Sequence, residues 1–318
     1  MSSFNSGRGK ETKEIKVRAI IELKLEQNYE ILPLLKIAKI SKSTFYYVKN
    51  QLNKEDKYQK VKELINKIYH QNKGRYGYRR ITLELRTKYN QVINHKTVSK
   101  LMKELNLACK IRIKKYKSYK GEIGMRADNL LLDKVVYPNK NETKYVRNFK
   151  TTSSNEKWST DITEFNINST KIYLSPIIDL YDKSIISFSI SKTPNMKLVM
   201  DMLNKALEDN EVHGLILHSD QGWQYQHKKY QDLLKARGIN QSMSRKGNCL
   251  DNSIVENFFS QVKSEFYYIN QFESVDDFII KLTEYLNYYN NERLPLKLKG
   301  LTPIQYRNQS LKSSFIQF

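Results

Sequence analysis

Apolar and polar positions along this chain change rhythm once, near Trp158. Before that point apolar residues recur every three or four positions; after it, stretches that alternate every second position are interleaved with helical ones. Residues 11–52 read as short helices, with Ile15, Ala19 and Leu23 sharing a face and Ser41 capping a helix that runs through Phe45 and Val48. Lys36 to Tyr47 is then helix, turn, helix, and its second helix carries Ser43, Thr44, Tyr46 and Lys49, which suit phosphates and base edges. A three-helix bundle that merely packs accounts for the same pattern. Helical spacing returns over 61–70, 79–89 and 97–105. Gly74-Arg75-Tyr76-Gly77-Tyr78-Arg79-Arg80 separates the first two of these, and Asn94-His95-Lys96 opens the third where a recognition helix places its first polar residues. Residues 110–120 alternate basic side chains with Ile and Tyr, as an extended arm along phosphates would, and 121–152 read as a connector.

Beyond Trp158, residues 162–167, 171–180 and 184–191 are rich in Ile, Tyr, Phe and Thr and separated by turn residues, so they read as three strands joined by hairpins. A helix over 196–208 follows, then a strand over 215–219, a helix over 228–236, a strand over 239–243, a long helix over 252–267 and an amphipathic helix over 278–289. Three meander strands followed by alternating helix and strand predict an α/β unit, a mixed sheet flanked by helices. The predicted organisation is a helix-turn-helix-like region at 1–52, a second helical DNA-binding region at 53–108, a basic arm and connector at 109–152, and a catalytic α/β core at 153–310 with a C-terminal helix.

Charge divides the chain at the same place. Of 318 residues, 1–150 hold 36 basic and 14 acidic side chains, whereas 151–318 hold 19 of each, so the whole excess of +22 sits in the helical half. That asymmetry points to a basic module for a polyanion attached to a neutral one. Two cysteines, Cys109 and Cys249, match no zinc or redox spacing and exclude a disulfide scaffold. The polar N-terminus and the absence of a run of 18 apolar residues predict a chain that engages no membrane and works in the cytoplasm, associated with the nucleoid.

In the neutral half three acids stand out by position. Asp161 lies within the first strand, Asp220 ends the strand Leu215-Ile216-Leu217-His218-Ser219, and Glu256 opens the long helix. Carboxylates at strand ends are held rigidly where a ligand can reach them. Three that converge repel one another unless hard cations such as Mg²⁺ or Mn²⁺ sit between them, and two such ions suit phosphodiester chemistry. Taken singly each acid is weak, since this half has 19 of them. His218 reads as a packed or hydrogen-bonded strand histidine, and Phe258, Phe259, Phe266 and Tyr267 as core. Gln221-Gly222-Trp223-Gln224-Tyr225 either shapes a groove or anchors the domain through its tryptophan.

The order strand-Asp, strand-Asp, helix-Glu, with 35 residues between Asp220 and Glu256, resembles the DDE core of retroviral integrases and of insertion-sequence transposases with an integrase-like second reading frame. The strings Trp158-Ser159-Thr160-Asp161-Ile162-Thr163, His218-Ser219-Asp220-Gln221-Gly222, Asp251-Asn252-Ser253-Ile254-Val255-Glu256 and Tyr288-Tyr289-Asn290-Asn291-Glu292-Arg293 are similar to that family, as is Tyr76-Gly77-Tyr78-Arg79-Arg80-Ile81 upstream. The resemblance implies a ribonuclease-H-like fold that cuts the 3′ ends of its element and joins them to target DNA. Asp161, Asp220 and Glu256 are then the catalytic residues and the ligands of two Mg²⁺ (or Mn²⁺) ions. Lys263, seven residues after Glu256 and about 20° from its helix face, and Asn252, one turn earlier, are the DNA contacts expected near the reaction. Arg79, Arg80, Lys96, Lys114 and Lys115 are those expected upstream. The implied partners are the element's terminal inverted repeats, target DNA, further copies of the chain and an upstream-frame product. A nuclease that hydrolyses without joining, or a DNA-binding regulator with an inactive core, are the alternatives.

Overall fold

The structure is a computed structural model and describes residues 5–27, 29–52, 56–111, 127–137, 142–210, 212–245 and 248–315. The chain divides into two compact units, Met1–Glu63 and Leu64–Phe318.

The first unit contains α1 (Asn5–Gln27), α2 (Ile31–Ala38) and α3 (Lys42–Leu52). Its small core is Val17, Ile20, Leu35, Phe45 and Val48. The buried stripe of α1 is thus not the expected one: Ile15 and Leu23 are exposed, and the face that packs runs through Val17 and Ile20. Both stripes have helical spacing, and the partner helices α2 and α3 select between them. Lys39 ends α2 in the left-handed conformation (φ 53°), and Ser41 caps α3 by accepting from the Thr44 amide at 3.2 Å. This turn leaves Ser43, Tyr46 and Tyr47 exposed on α3.

The second unit begins along α4 (Gln59–Gln71), followed by α5 (Tyr78–Tyr89) and α6 (His95–Glu104), whose Asn94 cap accepts from the Lys96 amide at 2.8 Å. These helices belong to the same compact unit as the sheet. Tyr76 is fully buried and its hydroxyl accepts from the Leu294 amide at 3.0 Å, while the Tyr288 hydroxyl donates to Asn72 at 3.0 Å. The expected boundaries at 108 and 152 therefore fall inside one unit. The expected connector also contains regular structure: β1 (Leu132–Tyr137) pairs antiparallel with β2 (Glu142–Arg147). Much of this pair is exposed, including Val136, Tyr145 and Val146, so its sequence lacks the alternation that marks a half-buried strand.

The sheet comprises β3 (Lys157–Thr160), β4 (Thr163–Ile167), β5 (Thr170–Asp179), β6 (Ile185–Ser191), β7 (Ile216–Ser219) and β8 (Asn240–Met243). β5 pairs antiparallel with β6, and also with β3 and β4; β3 pairs in parallel with β7, and β7 in parallel with β8. The register of β3 and β4 against β5 is continuous, Thr160 opposite Ile177 and Thr163 opposite Leu174. They are one strand interrupted at Asp161 and Ile162. In that register Asp161 falls opposite Pro176, which has no N–H to donate to a ladder. The remaining helices are α7 (Met196–Glu208), the short α8 (Trp223–Gln226), α9 (Lys228–Ala236), α10 (Ser253–Glu265), α11 (Val275–Asn291) and α12 (Pro303–Phe315).

Side chains of β5 alternate between two cores. Ile172, Leu174 and Ile178 join Phe165, Val255, Phe258, Phe278 and Tyr285 on the face covered by α10 and α11, whereas Ile177 joins Trp158, Met202, Leu217 and Leu234 under α7 and α9. The result is a mixed sheet flanked by helices, as the pattern predicts. The edge at β8 is covered by the chain entering β1: the Met243 amide donates to Asp128 at 3.2 Å, and Ser242 accepts from the Leu130 amide at 2.9 Å. Arg307 of α12 is buried against Asp179 and Asp182, 3.0 Å from each, and so fastens the C-terminal helix to the end of β5.

Candidate active site

Ser159 of β3 pairs with His218 of β7 in the parallel ladder, so the residues two positions further on, Asp161 and Asp220, leave the sheet side by side. Each carboxylate is fixed by a nearby amide. Asp161 accepts from Ile162 at 2.7 Å in the break of the strand, and Asp220 accepts from Gly222 at 2.9 Å in the turn after β7. Gly222 gives this approach room: a Cβ there would stand 3.0 Å from the Asp220 carboxylate. Both acids line a cavity of about 190 Å³ together with Glu164, Gln224 and Tyr225.

Electrostatics single out this pair. Burial first, and then the adjacent Asp220 with a smaller part from Glu256, push the Asp161 carboxyl well above its ordinary range; burial also raises Asp220. Tyr225 is fully buried beside them, its hydroxyl without a hydrogen-bond partner among the described residues. Two adjacent buried carboxylates, both with raised pKa values, form a hard-oxygen donor set, and the chemistry of that set fits a divalent cation.

Glu256 stands apart from them. It lies in the first turn of α10, close enough to raise Asp161 electrostatically, but it does not line the cavity. Among the described residues no group of three His, Cys, Asp or Glu side chains is gathered tightly enough to hold a metal ion. The structure thus brings two of the three expected acids together and holds the third in their field.

The helix that carries Glu256 is anchored at its start. Asn252, expected to touch DNA, is buried: it accepts from the Ser159 hydroxyl at 2.7 Å and donates to the Thr160 carbonyl at 3.4 Å. It ties α10 to the strand that ends at Asp161, and its amide is not available at the surface. Asp251 beside it is a hub that sequence reasoning missed. Arg245 reaches its carboxylate at 2.9 and 3.0 Å, Arg147 of β2 at 2.7 Å and Asn129 at 2.9 Å. Burial pushes the Asp251 carboxyl up, but the hydrogen bonds from Arg245 and Arg147 prevail and hold it at about 2. Only the adjacency of Asp251 to Asn252 marks it in the sequence; its partners are over 100 residues upstream, at Arg147 and Asn129, and at Arg245.

His218 behaves as a hydrogen-bonded strand histidine. Both ring nitrogens are engaged, Nδ1 with Ser242 at 2.8 Å and Nε2 with Ser244 at 3.2 Å, and burial lowers its pKa to about 4. Trp223 is exposed and belongs to neither core of the sheet, while the aromatic series Phe258, Phe259 and Phe266 is core.

Residues 151–249 and 256–311 match the integrase core domain family, and residues 56–115 match an HTH-like domain. The putative transposase InsK for insertion sequence element IS150 of Escherichia coli (strain K12) is 50% identical over 287 residues, 90% of this chain and 96% of the relative. The chain belongs to the integrase-core transposases of insertion sequences. The transposase for insertion sequence element IS904 of Lactococcus lactis subsp. lactis (strain IL1403) is 32% identical, over 76% of this chain and 91% of the relative. Among solved structures, the HTLV-2 integrase catalytic core domain in complex with magnesium matches with a TM-score of 0.39 and 16% identity, over 50% of this chain and 99% of that one. As an enzyme, this transposase is a polynucleotidyl transferase of the DDE class.

The remaining expected DNA contacts of the transposase separate by position. Arg79 is exposed, 5.6 Å from the Tyr78 ring, which in turn stacks on His95 at 6.0 Å, and Lys96 is exposed beside it at the start of α6. Arg80, one residue further along α5, turns inward: its guanidinium lies 3.1 Å from buried Glu265 and over the Tyr76 ring, so it serves the docking of α5 on α10. Lys263 is half-buried, its ammonium 5.7 Å from the Phe165 ring. Burial lowers its pKa, against the pull of Glu164 and Asp161. Helix side chains tilt toward the N-terminus, which brings the ammonium under the influence of Asp161 from seven residues beyond Glu256. Lys114 and Lys115 lie outside the described residues. None of the described helices is long and apolar enough to cross a membrane.

Proposed function

We propose that this transposase cleaves the 3′ ends of its insertion element and joins them to target DNA at the site built on Asp161 and Asp220. The observation that carries the reading is the parallel register of β3 and β7, which seats the two carboxylates together at the sheet end. Asp161, Asp220 and Glu256 are the residues that would hold divalent cations, Mg²⁺ or Mn²⁺, two per site. When bound, such ions supply Lewis-acid stabilisation of the charge that develops in phosphoryl transfer.

The chain's own residues position the reaction. Asn252 and Asp251 fix the helix start from which Glu256 projects, and Gly222 keeps the Asp220 carboxylate open. Lys263, whose ammonium lies near Asp161, holds a phosphate of the strand that crosses the site. Arg79 and Lys96 contact the terminal inverted repeats from the helical region, with α3 of the first unit as a further DNA-reading element. Pairing two element ends requires a multimer, and an upstream-frame product extends the DNA-binding surface; the work takes place on the nucleoid in the cytoplasm.

The test is divalent-metal-dependent cleavage and joining of labelled element ends by the full chain. Joined product from the parent, and none from Asp161→Asn or Asp220→Asn with DNA binding retained, is the expected result. Hydrolysed ends without joined product would assign a nuclease instead, and DNA binding with no chemistry would assign a regulator.

A further inference from the structure

Between the helices of residues 64–108 and α11 lies a polar cavity of about 690 Å³. On its wall is Arg75, the one arginine of the Gly74–Arg80 motif whose role the site above does not absorb. It is only 6% exposed, yet its Nε has no hydrogen-bond partner among the described residues. The guanidinium packs instead against two adjacent aromatic rings of α11, its carbon 5.2 Å from the Tyr285 centroid and 4.9 Å from that of Tyr288, which are themselves 6.0 Å apart. These ring contacts favour the cation but offer Nε no acceptor in the guanidinium plane, and an unmatched buried donor is costly to a fold. The other buried arginines among the described residues are placed differently: Arg293 is 2.7 Å from Glu265 and Arg307 is 3.0 Å from Asp179.

We propose that Arg75 is the base of an oxyanion site that takes a phosphate group, supplied by the backbone of a DNA strand that enters this cavity. A planar fork buried and packed against two rings is pre-organised for an acceptor with two oxygens in one plane, which a phosphate offers. The other polar groups nearby do not compete for it. Lys88 is 3.0 Å from Glu84, and Asn72 donates to that same carboxylate at 3.3 Å, so Glu84 is already matched. Lys73, exposed at the rim, adds a second positive charge. Glu284 and Glu292, also lining the cavity and exposed, disfavour a free dianion and leave room for the single charge of a phosphodiester. The volume exceeds that of a phosphate and accommodates the flanking sugar and base. The site rests on the reading of this chain as a DNA-handling transposase, and it moves the substrate contact of the motif from Arg80 to Arg75.

The experiment uses the full chain, with fluorescent duplex DNA carrying the element end and inorganic phosphate as the two probes. Arg75→Gln should lower the slope of log affinity against log salt by about 0.9, the contribution of one phosphate contact. At mildly acidic pH, where it is chiefly a monoanion, inorganic phosphate should raise the melting temperature of the parent and not that of Arg75→Gln. Arg75→Lys, which keeps the charge and loses the fork, should retain the salt slope, bind DNA several-fold more weakly and lose the response to phosphate. Loss of the phosphate response with an unchanged DNA slope would keep the oxyanion site and assign it to a free phosphate. If Arg75→Gln does not fold, Arg75→Lys decides. Unchanged DNA affinity and unchanged phosphate response in a folded variant overturn the proposal. A parent chain that binds element DNA with a steep salt dependence, while Arg75→Gln matches it both in that slope and in its phosphate response, would sink this site alone; a parent that binds no DNA would sink the broader reading.

Discussion

Ser159 donates its hydroxyl to Asn252 across 2.7 Å, joining the strand that ends at Asp161 to the residue that precedes the helix of Glu256. The bond is buried, so it cannot be replaced by water without cost. Asn252→Ala should therefore destabilise the fold by about 1–3 kcal/mol and slow joining by more than it weakens DNA binding. Chemical denaturation and strand-transfer rates on the same variant check this. A loss of DNA affinity with unaltered stability would return Asn252 to the surface role that its helical spacing suggests.

The juxtaposition of Asp161 and Asp220 has a consequence in the absence of divalent metal. Removing one of two repelling carboxylates should stabilise the chain, by about 1 kcal/mol or about 2–4 °C in melting temperature for a unit of this size. In chelator, Asp161→Asn should melt above the parent. On adding Mg²⁺ the parent should rise and the variant should not, which reverses the order. Calorimetry with and without Mg²⁺ measures both, and equal Mg²⁺ responses would separate Asp161 from metal binding.

Glu265 is the centre of a buried cluster, 2.7 Å from Arg293 and 3.1 Å from Arg80, with the Tyr285 hydroxyl at 3.3 Å. Burial pushes its carboxyl up, but the hydrogen bonds and charge of Arg293, with Arg80, prevail and hold it at about 2, below the ordinary 4.5. A carboxyl depressed on folding stabilises above its unfolded pKa, and the contribution is lost as pH falls from 4.5 toward 2. The shift corresponds to stabilisation on the order of 3 kcal/mol at neutral pH. Unfolding free energy measured by denaturant between neutral pH and pH ~3 should show that decline in the parent. Glu265→Gln should flatten it and, by leaving two cations unmatched, cost about 3–5 kcal/mol at neutral pH. An equally steep decline in the variant would assign the acid sensitivity elsewhere.

The Arg147–Asp251 ion pair fastens β2 to the chain just before α10 at 2.7 Å. Because Arg245 also holds Asp251 at 2.9 Å, Arg147→Met should cost little global stability, about 1 kcal/mol or less, yet release the strand pair locally. Amide exchange across residues 132–137 and 142–147 should quicken, with a smaller decrease in joining. Asp251→Ala, which unpairs both arginines, should reduce joining far more. Exchange rates that do not change in Arg147→Met would mean that the contacts at Asn129 and Leu130 alone secure the pair.

Lys263 sits close enough to the acidic pair to feel Asp161, and its position suits a phosphate lying over that pair. Lys263→Ala should lower end-specific joining by about 10- to 100-fold, in keeping with loss of one or two charge-assisted contacts. Lys263→Arg should recover much of it, because the charge is kept. Metal affinity by calorimetry should stay near that of the parent in Lys263→Arg. Equal joining in Lys263→Ala and the parent would leave the lysine a packing role against Phe165.

What the sequence by itself determined were the features whose cause is local. The alternation at Phe165, Ile167, Ile172 and Leu174 and the helical spacing at Val199, Met202 and Leu203 reflect burial against one neighbouring layer, and the elements formed where that spacing placed them. Asp220 was legible for the same reason, at the end of a short apolar strand. Tertiary structure decided whatever depended on which face is covered. In α1 two stripes had equal helical spacing, and packing against α2 and α3 buried Val17 and Ile20 instead of Ile15 and Leu23. Arg79 and Arg80 are neighbours, but a rotation of about 100° per residue sends one to solvent and the other to Glu265, a partner 185 positions away. Asn252 shares a helical face with Glu256, and only the approach of β3 turns its amide inward. The interruption at Asp161 falls opposite Pro176 across the sheet, and the Asp251 hub draws on Arg147 and Asn129. Local spacing sets the direction of each side chain relative to its own helix or strand; burial, pairing and charge are then assigned by whatever segment the fold lays against it.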